Sequence, residues 1–580
     1  MNQSAFQPTP LADRVNKAIE AARTEDVVAR IWRKDASLWK SDDESAKVIK
    51  NSLGWLTVAD EMLGVVDELT AFVDSIRSSG FRYVMVCGMG GSSLCPEVLA
   101  STFGPQDGFP ELLVLDSTDP DVIADFAERI DIERCLFVVA SKSGSTTEPN
   151  VFYKYWYGEV SKRRENPGEN FVAITDPGSP LDETASELKF RRTFLNQPDI
   201  GGRYSALSYF GMVPAALMGI DIRRFLERAK QAKSDADGPG LHIGAMIGEF
   251  ANAGRDKLTF VIDPSLATLG LWIEQLIAES TGKEGKGILP VNGEVLGGPE
   301  VYGDDRVFVS ISRGGVSDET RAKLNSLVTA GHPIVQRELA DIYDLGAEFF
   351  IWEFATAIAG WRMGINPFDQ PNVQEAKDAT KELLNSFERR GHLDPRFEIA
   401  KDDLITLYGP EESPAQSVAE ALRAHLATIK PGDYIAFLNY IEETPDLDDK
   451  FQQLRTHLRD STKCAATIGY GPRFLHSTGQ LHKGGPGTGV FFQIIANDKS
   501  DFAVPGEPYT FSILKQAQAL GDFRALAKRG RRVIGVDLGD DTLSGLQHLS
   551  GLIADCQLTD LRQLKIGTRQ LPIGNSKRSD

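Results

Sequence analysis

Short apolar runs, each followed by a Gly/Ser-rich loop and then an amphipathic stretch, recur along most of the chain. FRYVMVC (81–87) reads as a buried strand, because a continuous apolar run of that length suits a sheet covered on both faces. GMGGSS follows it, and then a helix from about Pro96. LLVLDS (112–117), CLFVVA (135–140) and FVAITDP (171–177) predict three more strands, the second running into SKSGSTTEP and another helix. A second series starts with KLTFVIDP near 257 and an apolar-faced helix over 268–279. It continues through RVFVSIS (306–312), HPIVQREL (332–339), YIAFLNYI (434–441), CAATIGY (464–470), GVFFQIIA (489–496) and RRVIGVDLG (531–539). Strands alternating with helices predict an α/β fold with parallel sheets flanked by helices, where ligands bind beyond the carboxyl ends of the strands.

The same patterning divides the chain. VNKAIEAARTEDVVARIW has helical periodicity, so residues 1–50 read as a helical extension whose first eight or so residues are expected to be disordered. A first domain is expected over 51–230 and a second over 245–565. Within the second, 397–433, containing YGPEESPAQS, reads as a connector and a solvent-facing helix.

With 63 Lys and Arg against 82 Asp and Glu, the net charge is −19. A phosphate backbone needs a basic surface, so nucleic acid is excluded as a partner, whereas a small phosphorylated metabolite needs only a local cluster of donors. No apolar run reaches the roughly 18 residues of a membrane span. The N-terminus lacks a basic segment followed by an apolar one, so no secretory signal is expected. Five scattered cysteines without Cys-x-x-Cys spacing make a disulfide framework or zinc site improbable and fit a cytoplasmic setting.

Two loops look built for an anion. In GMGGSS (88–93), glycines let backbone N–H groups converge at a helix start. A dinucleotide loop would place glycine where Ser93 stands, which disfavours that class. SKSGSTTEP sets five hydroxyls, on Ser141, Ser143, Ser145, Thr146 and Thr147, around one strand-to-helix turn. Each loop alone is equally a helix cap; two on successive units, without a Walker-type lysine, favour a phosphosugar. DIGGRYSALS (199–208) places Arg203 between glycines and an aromatic residue. Glu279 ends an apolar helix (LGLWIEQLIA), so its carboxylate is expected at the mouth of a core with raised proton affinity. FDQPNVQEAK (368–377) puts Gln370 and Lys377 seven residues apart, a spacing that projects both from one helix face.

Taken together, GMGGSS, SKSGSTTEP, GGRYS, ESTGKEGKG, FDQPNVQEAK and LHSTGQ (475–480) resemble the glucose-6-phosphate isomerase family over roughly 88–480. The likeness is greatest to the isomerase half of transaldolase–isomerase fusions, although a transaldolase barrel needs about 250 further residues. The resemblance implies two flavodoxin-like sugar-isomerase domains, a homodimer, and neither cofactor nor metal. It implies interconversion of glucose 6-phosphate and fructose 6-phosphate, in glycolysis and gluconeogenesis, through ring opening and a cis-enediol. By matching motif positions, Gly91, Ser92, Ser141, Lys142, Ser143 and Thr146 would hold the phosphate. Glu279 would be the general base and Arg203 the residue that steadies the charged intermediate. Lys377 and His476 would open the ring, with Glu148 and Gln370 in support.

Two features depart from the family pattern. Asn372, Val373 and Gln374 stand where Gly-Val-Glu is usual, with Glu375 one place late. The histidine motif follows Lys377 by about 100 residues instead of preceding it; in the family that histidine comes from the neighbouring subunit. His482 is therefore a rival to His476, and a plain loop histidine remains a third reading. An isomerase of another phosphosugar, such as mannose 6-phosphate, and a non-catalytic phosphosugar sensor are the competing functions.

Overall fold

The computed structural model describes residues 5–6, 12–235, 237–411 and 415–556. Each apolar run singled out in the sequence forms a strand. Cys135–Ala140, Phe171–Thr175 and Tyr434–Tyr440 are buried at every position, as expected of sheets covered on both faces.

The strands make three separate sheets. The first uses Tyr83–Cys87, Glu111–Leu115, Cys135–Ala140, Phe171–Thr175 and Arg192–Leu195. Numbered in chain order, these lie side by side as 2-1-3-4-5, all parallel. The second uses Lys257–Ile262, Leu289–Val291, Arg306–Arg313 and Ile334–Leu339 in the order 2-1-3-4, again parallel. The third repeats 2-1-3-4 with Tyr434–Tyr440, Ala465–Tyr470, Gly489–Ile495 and Arg532–Asp537. This is the flavodoxin-like winding, which reverses direction between strands 1 and 3 and opens a crevice there. Where one span was expected over 245–565, two such sheets lie; residues 557–565 of that span fall outside the described residues.

Two expectations are corrected. Within 397–433, Phe397–Lys401 and Thr406–Gly409 form an antiparallel hairpin attached to the edge of the third sheet. Asp402 Oδ1 accepts the amides of Leu404 and Ile405 and closes the turn, while Ile405 and Leu407 reach the core. Helix Val418–Leu426 does follow, and it buries Val418, Ala421, Leu422 and Leu426 instead of standing in solvent. Ala5–Phe6, expected to be disordered, pairs antiparallel with Val335 and Gln336 on the open edge of the second sheet.

Packing brings the units together. Helix Leu345–Met363 is buried along most of its length, and Gly244 lets a neighbouring helix approach it; a Cβ there would collide with the Ala355 carbonyl. Helix Phe511–Lys528, from the third unit, sits on the first: the Phe511 ring lies 5.7 Å from that of Tyr155 and 6.4 Å from that of Phe152. No helix among the described residues is long and apolar enough to cross a membrane.

Candidate functional site

Strands 1 and 3 of the first sheet are neighbours, so the loops that follow them, GMGGSS and SKSGSTTEP, meet at its switch point. The first loop is shaped by close approach. Gly90 has φ +57°, and a Cβ on Gly91 would collide with the Gly202 carbonyl. The loop therefore rests directly on GGRYS, and Ser92 is buried beneath it. In the second loop, Ser141 Oγ donates to Thr146 Oγ1 at 3.2 Å and Ser143 Oγ lies 2.9 Å from Ser145 Oγ. Ser143, Ser145 and Thr147 are open to solvent at the start of helix Thr147–Ser161. Lys142 turns aside to pair with Asp176 and to donate to the Pro198 carbonyl at 2.8 Å.

Arg203 is 4% exposed and binds from all sides. Its Nε donates to Ser280 Oγ at 2.7 Å. One terminal nitrogen reaches Gln370 Oε1 at 3.0 Å and Glu279 Oε1 at 3.1 Å. The other donates to the carbonyls of Pro367 at 2.8 Å and Asp369 at 3.0 Å. Four of these contacts are hydrogen bonds, and the one to Glu279 is an ion pair. The guanidinium acts as a fixed positive charge that ties the end of helix Leu269–Thr281 to the turn before Lys377.

Glu279 lies in the last turn of that helix and is 9% exposed. The apolar setting expected for it is only partial, because polar groups flank its carboxylate on both sides. Arg203 meets one oxygen, and Gln275, one helical turn earlier, donates to the other at 3.2 Å. The same Gln275 amide donates to the His476 carbonyl at 2.7 Å and would lie 2.8 Å from a Cβ on Gly90. Glu279, the phosphate-loop candidate and the histidine loop thus share one side chain.

His476 follows strand Ala465–Tyr470, and its Nε2 lies 3.3 Å from Glu148 Oε1. Burial, the largest single influence, would raise the pKa of Glu148; the charge and hydrogen bond of His476, with a backbone hydrogen bond, together hold it below the ordinary value. Lys377, exposed on helix Val373–Arg390, adds its charge in the same direction. Gln370 is not on that helix: it lies in the preceding turn, where it accepts from Arg203, so the two residues do not share a helix face. Asn372 bonds Gln480 instead of continuing a glutamate motif, and Glu375 pairs with Arg529. His482 is fully enclosed, with Nδ1 2.9 Å from the Tyr434 hydroxyl, and burial pushes its pKa far down, so it stays neutral in the core. The structure brings His476, not His482, to Glu148.

Several participants were not read from the sequence. Gln518 donates to Glu148 Oε1 at 2.6 Å and accepts from Thr118 Oγ1 at 2.7 Å. Lys283 donates to Asp369 Oδ1 at 2.7 Å, and burial, with Arg203 beside it, pulls its pKa to about 8. Gln275 had a legible signal, its i,i+4 spacing from Glu279; Gln518 had none.

The fold and site define an α/β isomerase of the doubly wound kind, with an Arg–Glu couple and a His–Glu couple at one switch point. A family model for phosphoglucose isomerase matches residues 44–304, a span holding both loops, Arg203 and Glu279 but neither Lys377 nor His476. Over that span the chain is similar to the phosphoglucose isomerase family. A glucose-6-phosphate isomerase from Leptospira interrogans is 28% identical over 398 residues, which cover 59% of this chain and 89% of that protein. One from Trichormus variabilis is 31% identical over 291 residues, covering 45% and 53% respectively. Among solved structures, a hypothetical protein from Thermus thermophilus superposes with a TM-score of 0.55 at 21% identity, over 66% of this chain and 99% of that one. A glucose-6-phosphate isomerase from Chlamydia trachomatis gives 0.50 at 19%, over 65% and 87%. At these identities the structures speak for the fold alone.

Proposed function

We propose that this chain interconverts glucose 6-phosphate and fructose 6-phosphate, a step of glycolysis and gluconeogenesis, in the cytoplasm. The supporting observation is the Gln275–Glu279–Arg203 arrangement beside Gly90. A carboxylate held between a neutral donor and a fixed cation lies next to a hydroxyl-rich loop pair.

In this reading the phosphate docks on Gly91, Ser92, Ser141, Ser143 and Thr146, and Lys142, already paired with Asp176, adds charge to the loop. Ring opening moves the proton of the C1 hydroxyl to a base and returns one to the ring oxygen as the C1–O bond breaks. His476, poised on Glu148, and Lys377 perform those transfers. Glu279 then takes the C2 proton, giving a cis-enediolate; the O2 hydroxyl proton passes to O1 and Glu279 returns its proton to C1. The carbonyl passes from C1 to C2 with no net oxidation, so the chemistry requires no redox cofactor. Arg203, a fixed cation beside Glu279, stabilises charge on the enediol oxygens, while Gln370 holds its orientation. One well-placed acid or base contributes about 10²–10⁴-fold in rate.

In this reading one chain brings His476 to Glu148 and Arg203 to Glu279, and a homodimer joins two such sites. The domain reading follows the same lines: 51–230 is the first sugar-isomerase domain, and 245–565 supplies Glu279, Lys377 and His476 to it. Incubating the purified protein with fructose 6-phosphate and detecting glucose 6-phosphate through a coupled dehydrogenase tests this. Absence of product under conditions where the protein is folded contradicts it.

A further inference from the structure

The carboxyl-terminal edge of the third sheet carries a cavity that the isomerisation does not use. It measures about 440 Å³ and lies where Tyr434–Tyr440, Gly489–Ile495 and Arg532–Asp537 end. Helix Phe511–Lys528 walls one side and the loop through His392 and Arg396 the other. This is the edge at which doubly wound sheets take ligands, and the volume suits a small metabolite.

Arg396 is the unexplained group. Its guanidinium donates to Gln493 Oε1 at 3.1 Å and lies 6.0 Å from the Tyr408 ring centre. Among the described residues it has no ion-pair partner. Burial draws its pKa down to about 10, and Tyr408, Tyr440 and Asp537 offset this only in part. Of the other charges lining the cavity, Asp537 acts on Arg396 from beyond ion-pair distance, and Lys515 and Asp394 are matched elsewhere. Lys515 pairs with Asp119 at 2.8 Å and with Asp498, and Asp394 pairs with Arg524 at 2.8 Å and with Arg390. Arg524 also acts against Arg396 as a like charge. Enclosing a cation without a directly paired counter-charge is unfavourable, and a guanidinium presents a planar fork that matches an oxyanion. His392 and Gln516 line the same space.

We infer that this cavity is a second binding site, separate from the catalytic one, for a small metabolite bearing a carboxylate or phosphate group that Arg396 receives. The site has a route to the first. Lys515, Gln516 and Ala519 line it, and Gln518 on the same helix holds Glu148.

The test is calorimetric titration of the full chain with inorganic phosphate and, separately, succinate, in wild type, Arg396→Met and Arg396→Lys. Wild type is expected to bind phosphate at two sites per chain and Arg396→Met at one. Whichever probe binds the Arg396 site more tightly in wild type identifies phosphate or carboxylate as the preferred group. Loss of a charged hydrogen-bonding pair weakens that site about tenfold or more. Arg396→Lys keeps the charge but not the fork and is expected to fall between the two. Unchanged isomerase kinetics in Arg396→Met show that the fold and the catalytic site are intact. If Arg396→Met does not fold, the Lys variant decides. Isotherms for both probes that are the same in wild type and the folded variant overturn the inference.

Discussion

His476 and Glu148 are 328 positions apart in one chain, yet their side chains meet at 3.3 Å. In the family pattern this histidine arrives from a neighbouring subunit. Here the third doubly wound unit delivers it in cis, on a loop pinned to Glu279 through Gln275. Under the proposed function, the late position of LHSTGQ in the chain is a rearrangement of supply, with His476 still arriving beside Glu148.

That arrangement predicts the outcome of subunit mixing. His476→Ala and Glu279→Gln are each expected to lose about 10²–10⁴-fold in kcat. Mixed after co-refolding, the two inactive variants should recover nothing, because each chain carries its own defect. Recovery of a sizeable fraction of wild-type activity shows that sites are shared between chains.

Gln518 is expected to act through Glu148. Its amide orientation is set, because the Thr118 hydroxyl donates to its oxygen and leaves the nitrogen to face the carboxylate. Gln518→Leu removes a charge-assisted hydrogen bond, typically about 1.5–3 kcal/mol, and so raises the Glu148 pKa by about one to two units. The acid limb of kcat/KM then moves toward neutral pH. An analogue lacking the C5 hydroxyl needs no ring opening by this route, so the variant should process it at the wild-type rate. A loss of stability with an unmoved acid limb makes Gln518 merely structural.

Lys283 sets an alkaline limit. Burial and Arg203 bring its pKa to about 8 from an ordinary 10.5. Below about pH 8 the ammonium holds Asp369, whose carbonyl also accepts from Arg203. Above it the proton leaves and the turn loosens, so kcat should fall with an apparent pKa near 8. Between about 8 and 10.5 the unfolded chain holds the extra proton, so the unfavourable contribution of this residue to folding fades as pH rises. Lys283→Arg, charged throughout, should shift the activity limb well upward. A pH–rate profile unchanged in that variant rules Lys283 out.

Gly91→Ala probes the loop contact. The added methyl group meets the Gly202 carbonyl, and relief requires one backbone to shift. Overpacking of this kind costs about 1–3 kcal/mol, measurable from the urea midpoint. KM should rise more than stability suggests, because the loop proposed to hold phosphate moves. Unchanged KM would separate the loop from substrate binding.

Most of the parallel strands were legible because each is a continuous apolar run, a pattern that needs no tertiary information; Arg192–Leu195 and Leu289–Val291, short edge strands, were not. Phe397–Lys401 and Thr406–Gly409 were not, since an edge hairpin of alternating and charged residues resembles a connector until a sheet edge is there to receive it. The first-sheet site was legible as local motifs. The choice between His476 and His482 was not: they lie six residues apart, and only packing against Tyr434 shows that His482 is core. Gln518 lies inside an ordinary-looking helix, and its partner Glu148 is 370 residues away.

The most direct test of the account follows the C2 proton itself. In deuterated buffer with glucose 6-phosphate, the wild type should exchange C2 hydrogen with solvent, seen by NMR, while Glu279→Gln, folded and still binding substrate, should not. Exchange at the wild-type rate in Glu279→Gln contradicts the assignment of that carboxylate as the base.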